Sequence, residues 1–193
     1  GNLFFRGFLT LMLAIHRAVT GESTWDRPFE VTGLDDRTFP WTHRGIAEYL
    51  SSQWAALPQG PHCENTKSWP YCLSAAGLGL QLTDATLGTR THWVYDRWVE
   101  DVFKKRLMRF DRRGRLKGVA LYYDPILDRV HEGHRIVGLF PSIYAAPQNR
   151  ELGEILYRNA VASVGWDKRY FPVLTQGPDP RPLTLGYLMA REY

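Results

Sequence analysis

Only two of the 193 residues are cysteine, and both fall inside one ten-residue stretch, Cys63-Glu64-Asn65-Thr66-Lys67-Ser68-Trp69-Pro70-Tyr71-Cys72. So low a count excludes a disulfide scaffold and leaves the redox compartment open. Long hydrophobic runs are lacking too. Between Arg6 and His16 nine residues run without a strongly polar side chain, whereas a bilayer-spanning helix needs about 20. No small-residue cleavage site follows to mark a secretory signal. The opening segment therefore reads as a buried helix of a soluble protein, with no transmembrane span or signal peptide visible. Also missing are a Gly-x-Ser-x-Gly elbow, a lysine-bearing phosphate loop and a dinucleotide fingerprint, which sets aside three large enzyme classes. There is no zinc-finger spacing and no aromatic RNA-binding signature.

What is present is a chain of one-domain size, 44% hydrophobic and 13% aromatic, enough to bury a sizeable core. The net charge of +4 comes largely from two runs, Lys104-Lys105-Arg106 with Arg109, and Arg112-Arg113-Gly114-Arg115-Leu116-Lys117. These read as a solvated helix end and turn, and no nucleic-acid partner is expected.

Residues 3–20 carry apolar side chains on nearly every side and meet a stop signal at Gly21, as a helix of an inner layer would. Residues 28–40 alternate and contain turn residues, which suits a short strand pair or an ordered loop. Thr42 can cap a helix running to about Leu57. Cys72 leads into a small-residue helix that ends at Gly88. Residues 90–109 form the clearest amphipathic helix, with Trp93, Val94, Trp98, Val102, Phe103 and Leu107 inside. A short hairpin follows, turning at Arg113-Gly114, then helices near 133–145 and 148–164, and a last one beginning near Leu183. About seven helices arriving in pairs, with scraps of strand, predict an all-α fold: an incomplete α/α toroid with short β-hairpin insertions. A closed double ring of six pairs needs about twelve helices. Residues 1–193 are thus expected to form a single domain within a larger α/α barrel, completed by another segment, a companion chain or a second copy in a homo-oligomer.

Two clusters invite a metal reading. His131-Glu132-Gly133-His134 has its histidines three apart with glycine between, whereas the zinc-protease helix needs them four apart on one face; a solvated turn explains it. Cys63 and Cys72 with His62 and His16 could make a zinc site, but structural zinc loops space their cysteines by two to four residues and here the spacing is nine. A single disulfide, two inert buried thiols and a cofactor-free acid/base pair stand beside it.

Met12 and His16 lie four apart, so both side chains leave one helix face. Downstream come Cys63-Glu64, then Trp69 six residues after the first cysteine, then Tyr71 and the second cysteine, Cys72. This ordered set, a Met-x-x-x-His helix followed by a Cys-Glu loop with a second cysteine nine residues on, resembles the linalool dehydratase/isomerase family. The resemblance implies an α/α six-barrel, no metal or other cofactor, and dehydration or isomerisation of allylic terpene alcohols in an apolar cavity. It further implies that Cys63 and Cys72 flank the substrate, that His16 hydrogen-bonds the reacting hydroxyl, and that Met12 and Trp69 line the wall, with Glu64 and Tyr71 as further substrate contacts. An allylic alcohol loses its oxygen only if that oxygen is protonated or strongly hydrogen-bonded as the C–O bond breaks, and a base must then take a proton from carbon. A thiol can donate or accept because charge and burial tune its pKa, and an aromatic face steadies cationic carbon. The family also uses an acidic residue and tyrosines from a segment preceding this helix, partly from a neighbouring subunit, and no such segment occurs in this sequence.

The expected function is a cofactor-independent lyase or isomerase acting on an apolar, terpenoid or prenylated alcohol. The alternatives are a cyclase that protonates an alkene on the same scaffold, and a non-catalytic subunit that binds lipophilic ligands. Asp35-Asp36, in a turn beside Gly33, reads as backbone-bonding, and His43 and His92 read as surface or capping residues.

Overall fold

The computed structural model describes residues 2–133 and 135–164. The first helix, α1 (Leu3–Thr20), starts where Asn2 Oδ1 accepts the Phe5 amide at 3.4 Å, and it stops at Gly21 in the left-handed conformation. A hairpin of β1 (Phe29–Thr32) and β2 (Thr38–Trp41) leads to α2 (His43–Ala56), whose Thr42 cap accepts the Gly45 amide at 2.9 Å. Next comes α3 (Pro70–Leu87), with proline at its first position, where no N–H is required. A short α4 (Trp93–Trp98) continues as a π-helix over Val99–Leu107. Then follow β3 (Met108–Phe110), β4 (Leu116–Asp124), β5 (Arg129–Glu132), α5 (Leu139–Gln148) and α6 (Arg150–Val164).

The described chain is thus mostly helical, with two small antiparallel sheets, β1-β2 and β3-β4-β5. The expectation of an all-helical fold with hairpin insertions is corrected in one respect: β5 pairs with β4 and turns the second hairpin into a three-stranded sheet. The expected amphipathic helix over 90–109 also differs. Its second half winds as a π-helix, a wide and uncommon geometry, and Trp93 is 47% exposed rather than inside, while Val94, Trp98, Phe103 and Leu107 are buried as the periodicity implied. The helix expected from 133 begins at Leu139, after a 3-10 turn at Arg135–Gly138. The helix expected near Leu183 lies outside the described residues.

Small residues bring α1 and α3 together. A Cβ on Gly7 would lie 2.9 Å from the Ala76 Cβ, and one on Gly79 would lie 2.8 Å from the Leu11 backbone nitrogen. Because both partners advance together along the two chains, α1 and α3 run parallel. The same reasoning makes α5 parallel to α3, since Tyr71 meets Phe140 and Tyr144, and Gln148 Nε2 donates to the Ser74 carbonyl at 2.9 Å. In contrast, α2 runs antiparallel to α1 and α3. Its first turn meets the end of α3 through His43 and Thr83, and its last turns meet the start of α1 through Arg6 and Gln53. Likewise α6 turns back along α5, with Gly153 against Ala146 and Leu156 against Gly138. Three parallel helices therefore form one row, with antiparallel helices packed against them. The core joins Leu50, Trp54, Leu73, Tyr95, Trp98 and Phe103, and the last two rings stack at 4.9 Å.

Among the described residues only one face of α1 is covered. Leu3, Gly7, Thr10, Leu11 and Ala14 are buried, but Phe4, Met12, Ile15 and Val19 form an exposed apolar stripe with half-buried Phe8. By length and composition α1 is the one described helix apolar enough to cross a membrane, with 33% of it buried. His43 corrects its surface assignment. The ring is fully buried, and Nε2 lies 2.9 Å from Thr83 Oγ1, because α2 begins beneath the end of α3 rather than at solvent.

Candidate functional site

The segment between α2 and α3 has only a 3-10 turn, Glu64–Thr66, and a single β-bridge as regular structure, yet its backbone is held at both ends. The Leu3 amide, first in α1, donates to the His62 carbonyl at 2.9 Å, and the Cys63 amide donates to the Lys67 carbonyl at 2.8 Å. Ser68 and Tyr123 exchange two backbone hydrogen bonds of 2.9 Å, which add the segment to β4 as a one-residue bridge. Lys67 Nζ lies 2.8 Å from Asp124 Oδ2, and this contact, together with the Ile126 and Leu127 amides, holds the Asp124 carboxyl below the usual carboxylate range. Thr66, β-branched, sits at φ +63, a left-handed conformation such residues avoid. A strained backbone of this kind persists only where its surroundings over-determine it, at a cost of order 1–3 kcal/mol.

What this framework fixes is a pair of thiols. Cys63 precedes the 3-10 turn Glu64–Thr66, and Cys72 lies in the first turn of α3. Their sulfurs are 3.2 Å apart, both are free, and both are 5% exposed. Glu64 Oε2 lies 2.7 Å from Cys63 Sγ, and the carboxylate side is open to solvent. Each thiol has one proton. The Cys63 thiol faces two acceptors, the Cys72 sulfur and the Glu64 carboxylate, and a proton relay links the three, the charge-assisted bond to the carboxylate being the stronger. Donation to the Cys72 sulfur, then burial, then the electrostatic influence of Cys72 and donation to the Glu64 carboxylate push the Cys63 thiol up. At neutral pH Cys63 is a proton-holding thiol rather than a thiolate nucleophile.

Beside the pair stands an aromatic wall. Tyr71, one residue before Cys72, packs on Phe8 at 5.7 Å, on Tyr144 at 5.4 Å and on Phe140 at 6.2 Å between ring centroids. Its hydroxyl lies 3.4 Å from that of Tyr144. Neighbouring residues of a helix point about 100° apart, so the wall borders the thiols and does not enclose them. Trp69 packs instead on Tyr122 of β4 at 4.9 Å, and Tyr122 stacks on His131 at 4.4 Å. Neither the models of known protein families nor the curated proteins give a match to this chain.

Of the residues singled out from sequence, the structure brings together Cys63, Cys72 and Glu64, with Tyr71 and Trp69 on either flank. It does not bring His16 or Met12 to them. The thiols sit at the start of α1, where Leu3 bonds His62, whereas His16 is thirteen residues further on, roughly 20 Å along the axis at 1.5 Å per residue. His16 instead faces Glu22 at 3.7 Å and Trp25. Met12, 65% exposed, lies on the apolar stripe. The expected convergence of the Met-x-x-x-His face with the cysteine loop is therefore corrected. Because α1 and α3 run parallel, the end of one and the beginning of the other lie at opposite ends of the helix row.

Sequence reasoning missed Phe8, Phe140 and Tyr144, which complete the wall, and the Lys67–Asp124 pair that anchors the loop. Aromatic residues at helical spacing were the available signal for the first group, and no local signal marked the second. A cavity of about 750 Å³ opens elsewhere, between the end of the π-helix, the three-stranded sheet and α6, with Arg106, Arg109, Lys117, Glu132 and Asn159 in its lining. None of the candidate residues lines it. Arg106 is paired with Asp128 and Arg109 with Glu132, so the first ties the π-helix to the β4–β5 turn and the second ties β3 to β5.

Proposed function

We propose that the protein is a cofactor-independent lyase or isomerase that breaks and re-forms a C–O bond in an apolar allylic alcohol of terpenoid or prenylated type. The observation that carries this reading is the free, buried thiol pair, 3.2 Å apart, with a carboxylate 2.7 Å from Cys63, beside an aromatic wall. The apolar body of the substrate lies along Phe8, Tyr71 and Tyr144 with its hydroxyl toward Cys63. The thiol donates its proton as the C–O bond breaks, and Glu64 takes the proton lost from carbon. Passing that proton from Glu64 back to Cys63 resets the relay, so atoms and charges balance and water is the by-product. The aromatic faces steady cationic character on carbon. Positioned acid/base groups of this kind contribute typically 10²–10⁴-fold each.

The three parallel helices with antiparallel partners support the reading of an incomplete α/α toroid, and the stripe of Phe4, Met12, Ile15 and Val19 is the surface its remainder would cover. An earlier segment, a companion chain or a second copy would complete the ring and supply further polar groups opposite the thiols. A second reading, a lipophilic-ligand binder without turnover, draws on the same wall and stripe. The two separate on one experiment. Reduced protein is incubated with a panel of allylic terpene alcohols, and products are followed by gas chromatography with mass detection, for the wild type and for the Cys63→Ala and Cys72→Ala variants. An enzyme loses turnover in both variants with its circular dichroism unchanged. A binder gives no product in any form and retains the ligand in all three.

A further inference from the structure

The same three side chains form a second kind of site. The Sγ atoms of Cys63 and Cys72 and a carboxylate oxygen of Glu64 all lie within 4.8 Å of one another. We propose that this S₂O cluster binds a thiophilic divalent cation, with Zn²⁺ the physiological representative, and that the bound cation switches the thiol chemistry off. The inference concerns regulation of the proposed catalytic site and rests on that reading for its consequence, though not for the binding itself.

The donor set selects the ion. Two sulfurs and one carboxylate oxygen suit zinc and cadmium, whereas magnesium and calcium require oxygen shells. Zinc bonds to sulfur at about 2.3 Å and to carboxylate oxygen at about 2.0–2.2 Å in tetrahedral geometry, which separates two ligand sulfurs by roughly 3.8 Å. The observed 3.2 Å and 2.7 Å contacts therefore require the three atoms to move apart by less than about an ångström each. The side-chain torsions of Glu64 and Cys72 are the freedom that would allow this. The backbone need not move, and it is pinned by the Leu3–His62, Cys63–Lys67 and Ser68–Tyr123 hydrogen bonds. The exposed Glu64 side gives the ion an entrance and leaves the fourth tetrahedral position to water.

The exchange balances as one divalent cation in and two thiol protons out, Zn²⁺ + 2 RSH → Zn(SR)₂ + 2 H⁺. Both protons on which the relay depends are the ones displaced. Because binding competes with protons, affinity rises with pH. Nine residues between cysteines is longer than the usual structural-zinc spacing of two to four. Here the fold supplies the proximity instead, since the loop doubles back so that Cys63 meets the first turn of α3.

The test uses the full chain, reduced and stripped with chelator. Cadmium is titrated first, following the sulfur-to-cadmium charge-transfer absorption in the ultraviolet, and zinc is then titrated by calorimetry in two buffers of different ionisation enthalpy. The expected result is one ion per chain, about two protons released at neutral pH, and no response to magnesium. Cys72→Ser should abolish the absorption band, and Glu64→Gln, which removes a charged direct ligand, should weaken zinc by more than the roughly tenfold that loss of an outer-shell partner costs. Zinc and cadmium binding no tighter than magnesium, or an absorption band that survives Cys72→Ser, would overturn the site. Since the band is read on unmodified protein, a variant that does not fold leaves the test intact. If zinc binds but no alcohol is ever turned over, the proposed function is wrong and the site stands. If turnover is present and stoichiometric zinc leaves it unchanged, the switch is wrong and the function stands.

Discussion

Replacing Gly79 by alanine isolates the contact that sets the geometry of the helix row. A Cβ there would lie 2.8 Å from the Leu11 nitrogen, 3.0 Å from the Leu11 Cα and 3.1 Å from the Thr10 carbonyl carbon. Non-bonded carbon atoms prefer about 3.5–4.0 Å, and every neighbour is backbone, so no side-chain rotation relieves the overlap and α1 must move. Alanine would otherwise favour the helix by about 1 kcal/mol, whereas overpacking a fitted core costs typically 1–3 kcal/mol. The net expectation is a destabilisation of about 0–2 kcal/mol, centred near 1, with the overlap outweighing the propensity gain. In urea denaturation with a slope of about 1–3 kcal/mol/M, a loss of about 1 kcal/mol lowers the midpoint by roughly 0.3–1 M. Gly118→Ala is the control. Its nearest neighbour is the flexible end of Arg109 at 3.6 Å, so it should be neutral or stabilising by about 0.4–1 kcal/mol. A Gly79→Ala protein at least as stable as the Gly118→Ala protein would refute the close-approach reasoning.

Two further expectations concern pH and the loop. Burial is the largest influence on His43 and outweighs the Asp26 carboxylate, so its folded-state pKa lies below 6.5. The unfolded chain then binds the proton more readily, so this contribution to stability is complete above about pH 6.5 and is lost as pH falls through the folded-state value. His43→Asn should flatten the stability profile between pH 7 and 5, and an unchanged slope in thermal melts would count against the assignment. Lys67→Met removes the ion pair that ties the cysteine loop to Asp124. Native thiols should then react faster with a maleimide, read by mass spectrometry, and an unaltered rate would show that the backbone bridge to Tyr123 suffices alone.

The helices themselves were legible in the sequence because stop signals and periodicity are local. Gly21 and Gly88 do end α1 and α3 in left-handed conformation, and Thr42 does cap α2. The loop carrying both cysteines could be placed between helices for the same reason. What could not be read was direction in space. Met12 and His16 share a face of one helix, but whether that face reaches Cys63 depends on α1 and α3 running parallel, which arises from Gly7, Ala76 and Gly79 acting across seventy residues. The burial of His43 has the same origin, since a histidine at a helix start is a surface residue until another helix end covers it. The third strand of the second sheet was hidden because Arg129–Glu132 is short and lacks apolar alternation on both sides. The π-helix was invisible because its residues suit an α-helix as well.

The most direct measurement of the central proposal asks whether the thiol pair breaks a C–O bond at all, with or without net product. Reduced protein is incubated with an acyclic allylic terpene alcohol in water enriched in oxygen-18, and the recovered alcohol is examined by mass spectrometry. The expected result is label in the recovered alcohol or its isomer with the wild type, reduced at least about a hundredfold in the Cys63→Ala and Cys72→Ala variants. Label entering equally with both variants, or entering with none of the proteins while the alcohol is bound, would contradict the assignment of acid/base chemistry to Cys63 and Cys72.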